Sequence, residues 1–166
     1  IGFMGGPSGH GKSFAIVELM GAIAFGKSAF GNLQVEQKKQ GAVLYCTVEG
    51  IQGLPHRFQA WKESRNISDD LWGARIFQFL KPFDFKNTLP FFFSAYVKEL
   101  EKLYKQKFKL IVIDTFRSHG GIASENNSTD SQKAIQWMRE VRTELKTTVL
   151  AVHHTGKNDA RVGCDF

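Results

Sequence analysis

Apolar runs of strand length alternate along this chain with longer stretches in which apolar residues recur every three to four positions. The runs at 1–4, 42–48, 110–113 and 148–152 are nearly continuous in aliphatic and aromatic residues. That is the pattern of strands buried on both faces of a parallel sheet. A shorter run at 75–80, stopped by Pro82, reads as another strand. Between these runs the helical period predicts a helix from Lys12 to about Phe25, with Ala15, Ile16, Leu19, Met20 and Ile23 as its apolar stripe and Gly26 at its end. Leu54, Phe58 and Trp61 predict a second helix over about 53–64, with Arg57 and Arg65 on its polar sides. A third starts at Asn87 or Thr88, takes Pro90 in its first turn and runs to about Gln106. Its inner face is expected to be Phe92, Tyr96, Leu100 and Leu103. A capping-box pattern at 129–132 opens a fourth, reaching about Leu145, with Ile135, Met138, Val141, Arg142 and Leu145 near one stripe. Gly31-Asn32 and Gln40-Gly41 bracket a segment expected to form a hairpin, and 66–72 is expected to be loop.

The strand ends carry the chemistry. Gly6-Pro7-Ser8-Gly9-His10-Gly11-Lys12-Ser13 fits G-x-x-x-x-G-K-[ST] at every fixed position, between a strand and a helix. The glycines let successive N–H groups turn toward one anion, and the helix adds its positive N-terminal end. Lys12 is placed to reach the β- and γ-phosphates of a nucleotide, and the Ser13 hydroxyl to hold Mg²⁺. Four aliphatics followed by Asp114 deliver a carboxylate to the same sheet edge; in a phosphate-loop protein this aspartate holds Mg²⁺, directly or through water. Glu49 follows the 42–48 strand, and its two readings, a water-activating base or a solvated residue opening a loop, weigh equally on position alone. The 148–152 strand runs on into His153-His154, where a polar group can hydrogen-bond a γ-phosphate. Neighbouring strand residues face opposite ways, which argues against the pair as a metal site. The polar segment 115–129, with Arg117, His119 and Glu125-Asn126-Asn127, is expected to be a loop near the site or a central pore.

Composition changes this picture little. The 166 residues allow one domain with a real core, and 15 are Phe. The chain opens inside an expected strand and closes on no obvious element, so 1–166 is read as one core truncated at both ends. Cys46 and Cys164 form neither a disulfide framework nor a metal spacing, and a reducing cytoplasm is the expected location. No apolar stretch is long enough to span a membrane, and none is expected as a partner. The net charge of +6 is compatible with nucleic-acid contact without requiring it. Lys98, Lys102, Lys105, Lys107 and Lys109 read first as a solvated helix face.

Taken together, the stretches 6–13, Val43-Leu44-Tyr45 with Glu49-Gly50 and Arg57-Phe58, 111–115 with Arg117, and Val152-His153-His154-Thr155-Gly156-Lys157 resemble a RecA-type ATPase core. More narrowly they are similar to the RepA-like replicative helicases of plasmids and phages, often labelled AAA-family ATPases. The resemblance implies an α/β fold with a mainly parallel sheet, helices on both faces, and the histidine strand between the phosphate-loop and Asp114 strands. It implies ATP and Mg²⁺ as cofactors, with Gly6, Pro7, Ser8, Gly9, His10, Gly11, Lys12, Ser13, Phe14 and Arg57 around the nucleotide and Ser13 and Asp114 on the metal. It implies Glu49, Lys12 and His154 as the catalytic set, with His154 the γ-phosphate sensor and His153 turned into the fold. It also implies single-stranded DNA as a partner and a hexameric ring in which a neighbour supplies an arginine. That arginine is expected to lie beyond this chain, with Arg161 a weak substitute. Two other classes stay open: a nucleotide-gated assembly or DNA-binding module with little catalysis, and a small phosphate-loop kinase.

Overall fold

A computed structural model describes residues 1–85, 87–119 and 128–154. The elements in order are β1 (Gly2–Gly6), α1 (Lys12–Phe25), β2 (Ala42–Thr47), α2 (Leu54–Arg65), α3 (Asp69–Arg75), β3 (Ile76–Phe79), α4 (Pro90–Tyr104), β4 (Phe108–Asp114), α5 (Ser128–Leu145) and β5 (Thr148–His154). All four strand pairings are parallel, in the order β1-β5-β4-β2-β3. The histidine strand β5 thus lies between the phosphate-loop strand β1 and β4, as the resemblance implies.

The side-chain alternation of β2, β4 and β5 divides the core in two. Ala42, Leu44, Cys46, Ile111, Ile113, Val149 and Ala151 face a cluster with Phe93, Val97, Trp137, Met138, Val141 and Leu145 of α4 and α5. Val43, Tyr45, Leu110, Val112 and Val152 face Ile16, Val17, Met20, Phe58, Trp61 and Trp72 of α1, α2 and α3. Each aliphatic side chain buried this way contributes about 1.5–3 kcal/mol, which makes β2 and β4 the rigid centre of the molecule. That rigidity matters because both strands deliver chemistry at their ends.

Close packing ties α1 to α2. A Cβ added at Gly21 would lie 2.4 Å from the Trp61 ring, so only glycine allows this approach. Glu18 then accepts hydrogen bonds from Trp61 Nε1 (2.6 Å), Arg65 Nη2 (2.8 Å) and the Phe30 amide (2.9 Å). The expected role of Arg65 as a merely polar flank becomes a half-buried ion pair.

Three sequence expectations change. The 66–72 stretch is not all loop: Ser68 accepts a hydrogen bond from the Leu71 amide and opens α3, with Asp69 and Asp70 favourably placed in its first turn. The 31–41 segment forms no hairpin; it holds one antiparallel bridge between Ala29 and Leu33 and a 3₁₀ turn over Gln37–Lys39. The inner face of α4 is Phe93, Ser94, Val97 and Glu101, while Phe92, Tyr96 and Leu103 are exposed. Glu101 is buried because its carboxylate accepts the Phe108 amide at the start of β4 (3.0 Å) and pairs with Lys107. In α5, Ala134 and Trp137 join Met138, Val141 and Leu145 in the core, and Arg142 is exposed. Among the lysines of α4, Lys98 pairs with Glu144 of α5, in keeping with a solvated face. Among the described residues, no helix is long and apolar enough to cross a membrane.

Candidate nucleotide site

Parallel pairing puts every strand's carboxyl end on one edge. In register, Gly6 lies beside His154, Val152 beside Asp114, and Asp114 beside Thr47, two residues before Glu49. Four separate strand ends thus meet in a line where open α/β sheets bind ligands.

Above that line the chain turns with Gly6, Gly9 and Gly11 at φ of 152°, 80° and 79°. A side chain at Gly9 or Gly11 would find space but would be strained by the left-handed backbone. Gly11 precedes α1 with no side-chain cap; the Phe14 and Ala15 amides donate to its carbonyl at 3.0 and 3.1 Å, and the helix N-terminus faces the loop as a positive end for an anion. Lys12 is 8% exposed, and its ammonium donates to the Gly6 and Pro7 carbonyls at 2.6 and 2.7 Å. The loop therefore fixes a positive charge on its own floor, a fit for phosphate.

A cleft of about 350 Å³ opens there. Ser8, Gly9, Gly11, Lys12, Ser13, Phe14, Glu49, Arg57, Asp114 and His154 line it, with Tyr45 and Thr115. Of the predicted nucleotide set, Gly6 and Pro7 act through their carbonyls beneath Lys12. His10 is exposed, its Nδ1 3.0 Å from the Ser8 carbonyl, and does not line the cleft. Phe14 is 65% exposed at the mouth, and the Arg57 guanidinium sits 5.5 Å from its ring centre. A larger cavity, about 780 Å³, lies at the opposite end of the strands among Leu19, Ile23, Lys109, Arg142 and Thr148. It has no glycine loop and none of the predicted site residues.

The two carboxylates differ. Glu49 is exposed at the end of its strand, and its Oε1 is 3.5 Å from the Thr115 hydroxyl. Thr115 is itself held by Ser118, whose Oγ accepts its amide at 2.9 Å. Asp114 is 7% exposed, and burial pushes its carboxyl above the usual range. The Tyr45 hydrogen bond and the charges of His154 and Lys12 oppose that rise, and Glu49 adds to it. Tyr45 Oη donates to Asp114 Oδ2 at 2.5 Å. Burial, then the Asp114 charge, pushes the phenol upward, so it keeps its proton.

Ser13 and Asp114 supply hard oxygens at the cleft, the donor type that Mg²⁺ takes when phosphates complete its shell. Among the described residues no group of three or more His, Cys, Asp or Glu could hold a metal alone, so a metal here depends on phosphate oxygens. His154 lines the cleft with its Nδ1 buried and, among the described residues, without a hydrogen-bond partner, while His153 does not line it. An orphaned ring nitrogen beside the phosphate loop is a ready partner for a ligand oxygen.

A family model described as an AAA domain matches residues 1–160. The chain belongs to that AAA-domain family. Its sheet is that of a RecA-like phosphate-loop NTPase, a class that binds ATP with Mg²⁺. Three curated relatives carry the name DNA repair and recombination protein RadB. The one from Pyrococcus furiosus is 25% identical over 138 residues, 83% of this chain and 58% of its own length. Those from Thermococcus sibiricus and Pyrococcus abyssi are 28% and 23% identical, over 73% and 83% of this chain and 50% and 57% of their own. The chain spans about half the length of the curated relatives it matches.

Four cleft residues, Tyr45, Gly50, Thr115 and Val152, lie outside the site residues read from sequence, and two of them, Tyr45 and Thr115, bring polar side chains. Tyr45 looks like one more core residue of β2; its only signal is that it shares strand parity with the end that carries Glu49. His119 is corrected in the other direction. Expected in a loop near the site, it is fully buried, stacked 4.4 Å from Phe83 within an aromatic cluster. Arg117 is exposed. The expected loop residues 120–127 and the 155–166 stretch, with Thr155, Gly156, Lys157, Arg161 and Cys164, lie outside the described residues.

Proposed function

We propose that this chain is the ATP-hydrolysing core of a DNA-processing motor or recombinase. The observation that carries the reading is the meeting of Lys12, Ser13, Glu49, Asp114 and His154, drawn from the ends of four strands, in one cleft. The loop amides and Lys12 bind and neutralise the phosphates. Ser13 and Asp114 would hold Mg²⁺, which when bound would supply positive charge to offset the charge developing on the phosphate oxygens. Glu49 orients a water and takes its proton as the oxygen attacks the γ-phosphorus and the bond to the β-phosphate breaks, leaving ADP and phosphate. His154 bonds the γ-phosphate and loses that bond on its release, which passes the nucleotide state into β5 and the segment after it. Phe14 and Arg57, at the mouth, bracket the rest of the nucleotide.

The DNA side of the proposal draws on the relatives' names, which place them in DNA repair and recombination. The finer form, a replicative helicase built as a hexameric ring with a neighbour's arginine at the site, rests on the sequence resemblance. The test is phosphate release from Mg-ATP by the whole protein, with and without single-stranded DNA. Stimulation by DNA is expected. Turnover indifferent to DNA removes the DNA part of the reading. ATP bound without turnover moves the assignment to a nucleotide-gated assembly module.

A further inference from the structure

Tyr45 occupies an unusual place for a core tyrosine. It lies in the middle of the sheet, is 1% exposed, and packs its ring edge-on against Phe58 at 6.4 Å. Yet its hydroxyl reaches the cleft and donates to Asp114 Oδ2. The register explains how. Tyr45 pairs with Val112, so Asp114 is its diagonal neighbour on the same face, a distance an aromatic side chain spans. The phenol is therefore anchored at the ring by the core and at the oxygen by the carboxylate.

This anchoring matters because Asp114 ends its strand. A terminal carboxylate with two free torsions samples several rotamers, and only some aim a lone pair at a metal beside Ser13. A hydrogen bond to one oxygen fixes the plane and leaves the other oxygen as ligand. Such outer-shell partners typically govern metal affinity by 10–100-fold. We propose that Tyr45 is a positioning residue that holds the Asp114 carboxylate in its Mg²⁺-binding orientation and so sets the protein's Mg²⁺ requirement. The proposal rests on the reading of Asp114 as a metal ligand.

The test is Tyr45→Phe, which keeps the ring against Phe58 and removes only the hydroxyl. Binding of a fluorescent ATP analogue to the whole protein is followed as Mg²⁺ is titrated, and again in EDTA. The Mg²⁺ midpoint is expected to rise about 10–100-fold, with affinity in EDTA unchanged. An unchanged midpoint overturns the proposal. An equal loss of affinity in EDTA also overturns it, since that marks a general structural role. Asp114→Asn separates this inference from its parent. If Asp114→Asn shifts the midpoint and Tyr45→Phe does not, the positioning role alone fails; if neither shifts it, the metal assignment of Asp114 fails too. In the Asp114→Asn background, Tyr45→Phe is expected to have no further effect, because the two act through one carboxylate.

Discussion

Glu49→Gln is expected to lower phosphate release from Mg-ATP by about 10²–10⁴-fold while nucleotide affinity stays within about threefold. The amide keeps the size and polarity of the side chain but cannot accept a proton. Glu49 is exposed just past its strand, so the amide is expected to leave the fold intact. Its polar neighbour is the Thr115 hydroxyl at 3.5 Å, long enough that Glu49 is free to engage a water. Lys12 and the loop amides, to which the proposal assigns phosphate binding, are untouched by the change. Steady-state phosphate release beside equilibrium binding checks the split. Undiminished turnover removes Glu49 as the base.

Acidification is expected to cost this fold roughly 3 kcal/mol through His119 alone between pH 7 and pH 4. The ring is fully buried and stacked on Phe83, and that burial pushes its pKa down to about 4 from an ordinary 6.5. The backbone at Cys46 offsets this only in part. The unfolded chain therefore takes up the proton first as pH falls. The stability from keeping His119 neutral is whole above about pH 6.5 and drains away toward pH 4. Asp114 acts with the opposite sign, because burial raises its carboxyl and the folded state gains the proton early. The informative quantity is thus the difference between wild type and His119→Leu. Denaturant unfolding at several values between pH 7 and pH 4 should show a shallower pH dependence in the variant, and parallel curves would rule the mechanism out.

What could be read from the residues follows the strength of each local signal. The phosphate loop, α1, and the aliphatic strands β2, β4 and β5 are legible because each element has one dominant pattern and the strands end in chemistry. Parallel pairing then forces those ends together, so Lys12, Glu49, Asp114 and His154 share a cleft without needing any contact between them to be foreseen. The α4 error has a physical origin. Phe91, Phe92 and Phe93 are consecutive, so a helical stripe can be drawn through more than one of them. The correct stripe passes through Glu101, a residue that pattern alone excludes from a core, and which is there to cap the β4 amide of Phe108. His119 was illegible for a similar reason. Its neighbours in sequence are polar, while the ring stacked on it, Phe83, comes from a distant segment and itself packs against Phe85 and Trp137. Tyr45 hides in the reverse way, as an apolar-looking core residue whose oxygen bonds Asp114 at the cleft.

The account's central claim is that the Gly6–Ser13 loop and the strand ends beside it form one Mg-ATP site. Equilibrium titration of a fluorescent ATP analogue into wild type and Lys12→Ala, each with Mg²⁺ and with EDTA, tests it most directly. The account predicts saturable binding at one site per chain, displaced by ATP, weakened by EDTA, and reduced about tenfold or more by Lys12→Ala as its charge-assisted phosphate contacts are lost. Absence of saturable binding, or binding indifferent to both Lys12→Ala and EDTA, would contradict it.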